Sequence, residues 1–168
     1  MSTLYTRRRL LALGSVAVSA ALLAGCGFRL RREGTLTSLP PLSLEGDTST
    51  SLARELDTLL TRQGTDVTPG APWRVTLGTP VVENRSLGSE GRANRDHELT
   101  MRVTLSVQRR ENGAYALNND IVSTATRIRI NEDDLLNREL LLDEAKQTLS
   151  RQLAQRIVER LATLEASP

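Results

Sequence analysis

The chain has 168 residues, with 22 lysines and arginines against 20 acidic residues, and aromatic residues make up only 2% of it. This length fits a single domain, and the shortage of aromatic side chains means that leucine, valine, isoleucine and alanine must build the core. The single cysteine, Cys26, excludes a disulfide framework and a cysteine-based metal site.

The first 25 residues have the features of an export signal. Arg7, Arg8 and Arg9 precede an apolar run that is interrupted by glycine and serine and is shorter than the ~20 residues of a membrane-spanning helix. The run ends in Leu23-Ala24-Gly25-Cys26, which resembles a bacterial lipobox. We therefore predict a lipoprotein signal peptide over 1–25 and a diacylglycerol and N-acyl lipid on Cys26. The alternative is a buried cysteine near the end of a transmembrane helix.

The predicted cleavage changes the charge of the chain. It removes three arginines and no acidic residue, so the mature protein is close to neutral. Its overall charge therefore gives no reason to expect nucleic acid as a partner. We predict a basic, lipidated tether over residues 26–35 and a single domain over 36–168. The sequence is compatible with both the twin-arginine and the general export route.

A strand and a helix are predicted to begin the domain. Leu36 to Leu44 has the apolar parity of a strand, but Pro40-Pro41 restrict it to a sheet edge. Thr50 or Ser51 can cap a following amphipathic helix, and Gly64 stands where a helix often ends.

Three antiparallel strands are predicted next. Trp73 to Leu77 begins the first, and Pro80 indicates a bulge or an edge. Leu99 to Val107 alternates apolar and polar residues, and Asn112-Gly113 is a strong hairpin signal before the partner strand Ile121 to Ile130. The polar face of the middle strand, predicted to carry little charge, consists of Thr100, Arg102, Thr104, Ser106 and Gln108.

A long polar loop is predicted over Asn84 to Arg95. It contains Arg85, Arg92 and Arg95, and guanidinium groups suit phosphate because they can donate two parallel hydrogen bonds. The alternative is a solvated hairpin tip whose charges only keep the protein soluble.

The last element is one long amphipathic helix from Leu135 to Leu164. Its apolar residues recur every four positions, with polar residues opposite them. The predicted fold class is therefore α+β, with one mainly antiparallel four-stranded sheet, two α-helices and the order β-α-β-β-β-α.

The sequence Cys26-Gly27-Phe28-Arg29-Leu30-Arg31 resembles the amino terminus of the LPS-assembly lipoprotein family, LptE or RlpB. Residues 154–161 resemble the C-terminal helix of this family, and the element order is the same. The resemblance implies an outer-membrane lipoprotein that plugs the LptD β-barrel and helps deliver lipopolysaccharide to the cell surface. It also associates the region of Arg92 and Arg95 with lipopolysaccharide. The clustering of three guanidinium groups in one loop makes Arg85, Arg92 and Arg95 the candidate binding residues. Together with this resemblance, the polar sheet face is predicted to suit the polar interior of a barrel; the alternative is a face that is simply solvated, as in many antiparallel sheets.

An enzyme is the competing class of function. His97-Glu98 begins like a zinc-protease motif, but Met101 stands where the second histidine is required. We therefore expect no catalytic residues, no metal site and no cofactor other than the covalent lipid. A generic periplasm-facing lipoprotein that binds another envelope protein or peptidoglycan remains the alternative function.

Overall fold

The computed structural model describes residues 39–88 and 94–165. Its elements are β1 (Leu42–Gly46), α1 (Ser51–Arg62), β2 (Trp73–Leu77), β3 (Val81–Leu87), β4 (Asn94–Arg109), β5 (Tyr115–Asn131) and α2 (Leu135–Glu165). The predicted α+β class is confirmed. Neither of the two described helices combines the length and apolarity needed to cross a membrane.

The sheet contains five strands where four were predicted, because the first predicted antiparallel strand is broken in two. β2 and β3 both pair antiparallel with β4, with Leu77 opposite Leu105 and Val81 opposite Arg102. The chain advances four residues from Leu77 to Val81 but only three from Leu105 to Arg102 on β4. One extra residue therefore interrupts the ladder. The order is therefore β-α-β-β-β-β-α.

The interruption lies at Gly78-Thr79-Pro80, where the sequence predicted a bulge or an edge. The backbone N–H of Gly78 donates to the carbonyl oxygen of Thr104 at 2.9 Å. A Cβ at Gly78 would come within 2.1 Å of Thr104 Oγ1, so only glycine allows this approach. Pro80 has no N–H to give to the ladder, which explains why the strand restarts at Val81.

β1 lies at one edge of the sheet and pairs parallel with β2. It begins at Leu42, later than the predicted Leu36, since Pro40-Pro41 precede it and cannot donate backbone hydrogen bonds. Residues 36–38 of that prediction lie outside the described residues. The N-cap of α1 is Thr50, whose side chain accepts from Ala53 N at 3.2 Å, as predicted.

The core lies between one face of the sheet and the two helices. The odd-numbered residues of β4 from Leu99 to Val107 are buried, which confirms the predicted alternation. In α2, Leu149, Leu153 and Ile157 are fully buried, in agreement with the predicted spacing of four. The opposite face of the sheet is open among the described residues, and we call it the outer face.

Candidate partner-binding face

The outer face is polar along β4, as the alternation predicted. Arg102 and Thr104 are exposed, and Thr100, Ser106 and Gln108 are half-buried. Adjacent residues of a strand point to opposite sides, so these even-numbered side chains lie on the outer face and the odd-numbered ones fill the core.

The outer face carries more charge than predicted. Arg102 forms an ion pair with Glu83 of β3. Between β4 and β5, Arg127 Nε lies 3.1 Å from Glu98 Oε2, and Arg129 Nε lies 3.4 Å from Asp96 Oδ1. The prediction of little charge was therefore wrong, because it considered one strand, and the neighbouring strands add charged side chains in opposite-sign pairs. The face is charged but locally balanced.

The predicted arginine cluster is divided by the strand register. Arg85 is exposed in β3 and lies opposite Glu98, a residue whose side chain is on the outer face. Arg95 lies in β4 with the parity of the buried Leu99, so its side chain is on the helix side of the sheet. Arg92 lies outside the described residues. The predicted loop from Asn84 to Arg95 was also too long, because both of its ends belong to strands.

A polar network on the helix side escaped the sequence analysis. His97 is 4% exposed, with Nδ1 2.9 Å from Asn84 Oδ1 and Nε2 2.8 Å from Glu132 Oε1. Glu132 Oε2 in turn lies 3.5 Å from Arg138 Nε of α2. The network therefore joins β3, β4 and the start of α2. The parity of His97 with Leu99 was a signal of its burial, but nothing in the sequence identified its partners.

A second network lies at the β1 edge. Glu45 Oε1 accepts from Arg110 Nη2 at 2.7 Å, and Glu45 Oε2 lies 3.2 Å from Arg74 Nε. The hydrogen bond from Arg110 lowers the pKa of Glu45 from its ordinary value of 4.5, with a smaller contribution from the charge of Arg74 and partial desolvation acting against it. An open groove of about 520 Å³ adjoins Glu45 and Arg110. In the described part of the chain, no group of three or more histidine, cysteine or acidic residues is arranged to hold a metal ion.

Three solved lipoproteins have a similar structure. A minor lipoprotein from Acinetobacter baumannii is 16% identical with a TM-score of 0.62, and the match covers 74% of this chain and 92% of that one. Rare lipoprotein B from Shewanella oneidensis is 19% identical with a TM-score of 0.60, covering 75% and 96%. Uncharacterized lipoprotein B from Nitrosomonas europaea is 16% identical with a TM-score of 0.65, covering 84% and 94%. The chain has the lipoprotein B fold.

The lipoprotein B fold agrees with the family resemblance predicted from the two sequence motifs. No protein-family model matches the sequence, and no curated protein matches it either. The match spans 92–96% of the length of the three solved chains. Cys26, the predicted lipidation residue, lies outside the described residues.

Proposed function

We propose that this protein is an outer-membrane lipoprotein of the LptE family that assembles with the LptD β-barrel, plugs it, and helps deliver lipopolysaccharide to the cell surface. The observation that supports this proposal is the lipoprotein B fold. The structural match covers 96% of the rare lipoprotein B chain from Shewanella oneidensis. The lipobox-like sequence ending at Cys26 supplies the lipid anchor.

The outer face is the surface that we assign to the barrel. The interior of a large transmembrane barrel is polar and water-lined, so it accepts hydrogen-bonding side chains and balanced ion pairs. The outer face presents both kinds of group. Arg102 forms an ion pair with Glu83, and Thr104 and Gln108 supply hydrogen-bonding side chains. The lipid anchor confines the protein to the membrane and raises its effective concentration near the barrel, so modest contacts suffice.

The lipopolysaccharide contact is assigned to Arg85 and Arg92, with Arg95 as a third candidate. Arg85 is exposed near the end of β3, and Arg92 follows it in the sequence but lies outside the described residues. Arg95 lies on the other side of the sheet, and its Nε is buried without a hydrogen-bond partner among the described residues. Arg85 and Arg95 therefore act on opposite faces of the sheet rather than as a single cluster.

Site-specific photocrosslinking in intact cells tests the barrel contact. Crosslinkers at Arg102, Gln108 and Arg92 are expected to capture a large outer-membrane barrel protein, with at least one of the two strand sites reacting. Gln155 is the matched control because it is exposed on α2, in the helical layer behind the sheet. Capture of only soluble periplasmic proteins or peptidoglycan from all three sites contradicts the proposal.

Substitution of the arginines tests the lipopolysaccharide contact. Charge-assisted hydrogen bonds contribute roughly 1.5–3 kcal/mol where they are desolvated. Arg85→Ser, Arg92→Ser and Arg95→Ser, made singly and together, are expected to weaken binding of purified lipopolysaccharide without lowering the unfolding temperature. Arg62→Ser, on an exposed arginine at the end of α1, is the control. Unchanged binding by the triple variant across a salt series assigns these arginines to solubility alone.

The lipid anchor has its own test. Cys26→Ala is expected to abolish incorporation of labelled fatty acid and to leave the protein uncleaved or soluble, because the thioether cannot form without the thiol. Undiminished labelling of this variant contradicts the lipidation.

A further inference from the structure

β5 forms the second edge of the sheet. Among the described residues it pairs with β4 and with no other strand, and it is 17 residues long. The open side of such a strand presents unpaired N–H and C=O groups, which can form a ladder with another extended chain.

The register identifies the residues whose backbone groups face this open side. Gly78 N donates to Thr104 O, so the backbone groups of Thr104 point toward β2. Successive residues of a strand direct these groups to opposite sides, so the backbone groups of Met101 and Leu99 point toward β5.

The pairing with β4 then fixes the orientation of β5. Met101 pairs with Thr124, and Leu99 pairs with Thr126, so the backbone groups of these two threonines point toward β4. The groups that face the open edge therefore belong to the odd-numbered residues Ser123, Ala125, Arg127 and Arg129.

Side chains of α2 reach this edge at Asp120 and Ser123. Arg156 Nη1 donates to the carbonyl oxygen of Ser123, and Arg160 Nε lies 2.9 Å from Asp120 Oδ2. The first contact also confirms that the carbonyl of Ser123 faces the open side. In the described ranges, no side chain or backbone group bonds to the edge-facing groups of Ala125, Arg127 or Arg129. We call residues 125–131 the open segment.

The charges of the outer face indicate which strand would fit the open segment. Arg85 of β3, Glu98 of β4 and Arg127 of β5 form a row across three strands, with alternating sign. The next row ends on Arg129, which is paired with Asp96. The side chains of Arg127 and Arg129 are each 73% exposed, so each row ends on an accessible positive charge at the open edge. Opposite charges on directly facing residues stabilise a strand pair, so the complementary strand is acidic at both positions.

A second copy of this chain fits the open segment poorly. The antiparallel register that pairs residues 125–131 fully with themselves places Arg127 of one copy opposite Arg129 of the other. Like charges in directly facing positions destabilise a strand pair.

We propose that the open segment of β5 binds an extended segment of another protein by strand addition, with two acidic residues at alternate positions facing Arg127 and Arg129. Backbone hydrogen bonds from Ala125, Arg127 and Arg129 supply the pairing, and the two arginines select the partner. This inference does not depend on the proposed function.

Amide hydrogen exchange of the full-length protein in detergent tests the backbone contact. The probe is a short peptide in which glutamate alternates with valine. Adding it is expected to slow exchange of the Ala125, Arg127 and Arg129 amides, while Thr124 and Thr126, already bonded to β4, remain unchanged. N-methylation of alternate residues of the same peptide removes the backbone N–H donors on one side of it. This modified peptide is expected not to bind.

Two variants test the strand position and the charges separately. Ala125→Pro removes only an edge-facing N–H, which an edge strand tolerates, and is expected to weaken peptide binding while preserving the unfolding temperature. Arg127→Glu with Arg129→Glu is expected to weaken binding about tenfold and to favour a peptide that alternates lysine with valine. Arg62→Glu on α1 is the charge control. Unchanged exchange at the odd-numbered amides, or equal binding of the N-methylated peptide, overturns the proposal. Concentration-dependent dimerisation that Ala125→Pro abolishes also overturns it, and assigns the edge to a second copy.

Discussion

The two ends of the sheet are stabilised by different forces. At the covered end, β1, β2 and the adjoining part of β4 lie beneath α1 and the second half of α2, and leucines such as Leu56, Leu105 and Leu153 are fully buried. At the opposite end, where β3 pairs with the first half of β4 and which we call the hairpin end, no residue of β3 is buried, and residues 135–144 of α2 are exposed or half-buried. Hydrogen bonds and ion pairs around His97 and Glu98 join the strands there.

This difference separates two properties within one small domain: stability from apolar burial and accessibility of polar groups. Apolar burial contributes about 25 cal/mol per Å² and needs no exact partner, so it stabilises the covered end strongly. Polar pairs contribute less, but they leave backbone edges and charged side chains accessible. The hairpin end therefore presents accessible backbone groups and charges, and the covered end contributes most of the buried apolar surface.

The largest expected effect is at the covered end. Leu153→Ala removes a fully buried side chain from α2 and is expected to lower the free energy of unfolding by about 2–5 kcal/mol. Leu136→Ala is the matched control on the same helix, because Leu136 is 84% exposed, and its effect is expected to stay within about 0.5 kcal/mol. Urea unfolding of both variants measures the contrast, and equal losses would remove the distinction between the two ends.

An intermediate effect is expected in the His97 network. Glu132→Ala leaves the buried Nε2 of His97 without its carboxylate partner, which costs about 1–3 kcal/mol. Hydrogen exchange is expected to accelerate in β3 and the first half of β4 and to stay unchanged around Leu105. Glu139→Ala, on an exposed residue of α2, is the control. Uniform acceleration throughout the sheet would mean that the hairpin end does not open independently.

A smaller and pH-dependent effect is expected at Glu45. Its pKa is lower in the folded state than in the unfolded state, so its contribution to stability is present above about pH 4.5 and is lost as the pH falls through the lowered folded pKa. Glu45→Gln is expected to destabilise the protein by less than about 1 kcal/mol at neutral pH, because the side chain is 41% exposed. The difference from wild type is expected to vanish in strong acid. A difference that persists there would assign the effect to packing, and Glu55→Gln on α1 serves as the control.

The smallest effect on stability is expected on the outer face. Arg102→Ser removes an exposed ion pair with Glu83, and its effect on the free energy of unfolding is expected to stay within about 0.5 kcal/mol. The same substitution is expected to reduce the amount of barrel protein that co-purifies with this lipoprotein. A large loss of stability would place Arg102 in the fold rather than in the partner contact.

The sequence by itself determined the elements with strong periodicity. Alternation from Leu99 to Val107 and the spacing of four in α2 specify a buried face whatever the neighbours are, because the period of a strand or helix is local. The lipobox-like sequence and the turn at Asn112-Gly113 are equally local. These features were sufficient for the α+β class and the family resemblance.

Only the tertiary structure decided which residues of different strands meet. The interruption at Gly78 separates β3 from β2, and the register then places Arg85 and Arg95 on opposite faces. The partners of His97 and the charge rows of the outer face depend on the same register. A shift of one residue between two strands preserves every local pattern but reverses which side chains share a face, so such contacts require the assembled sheet.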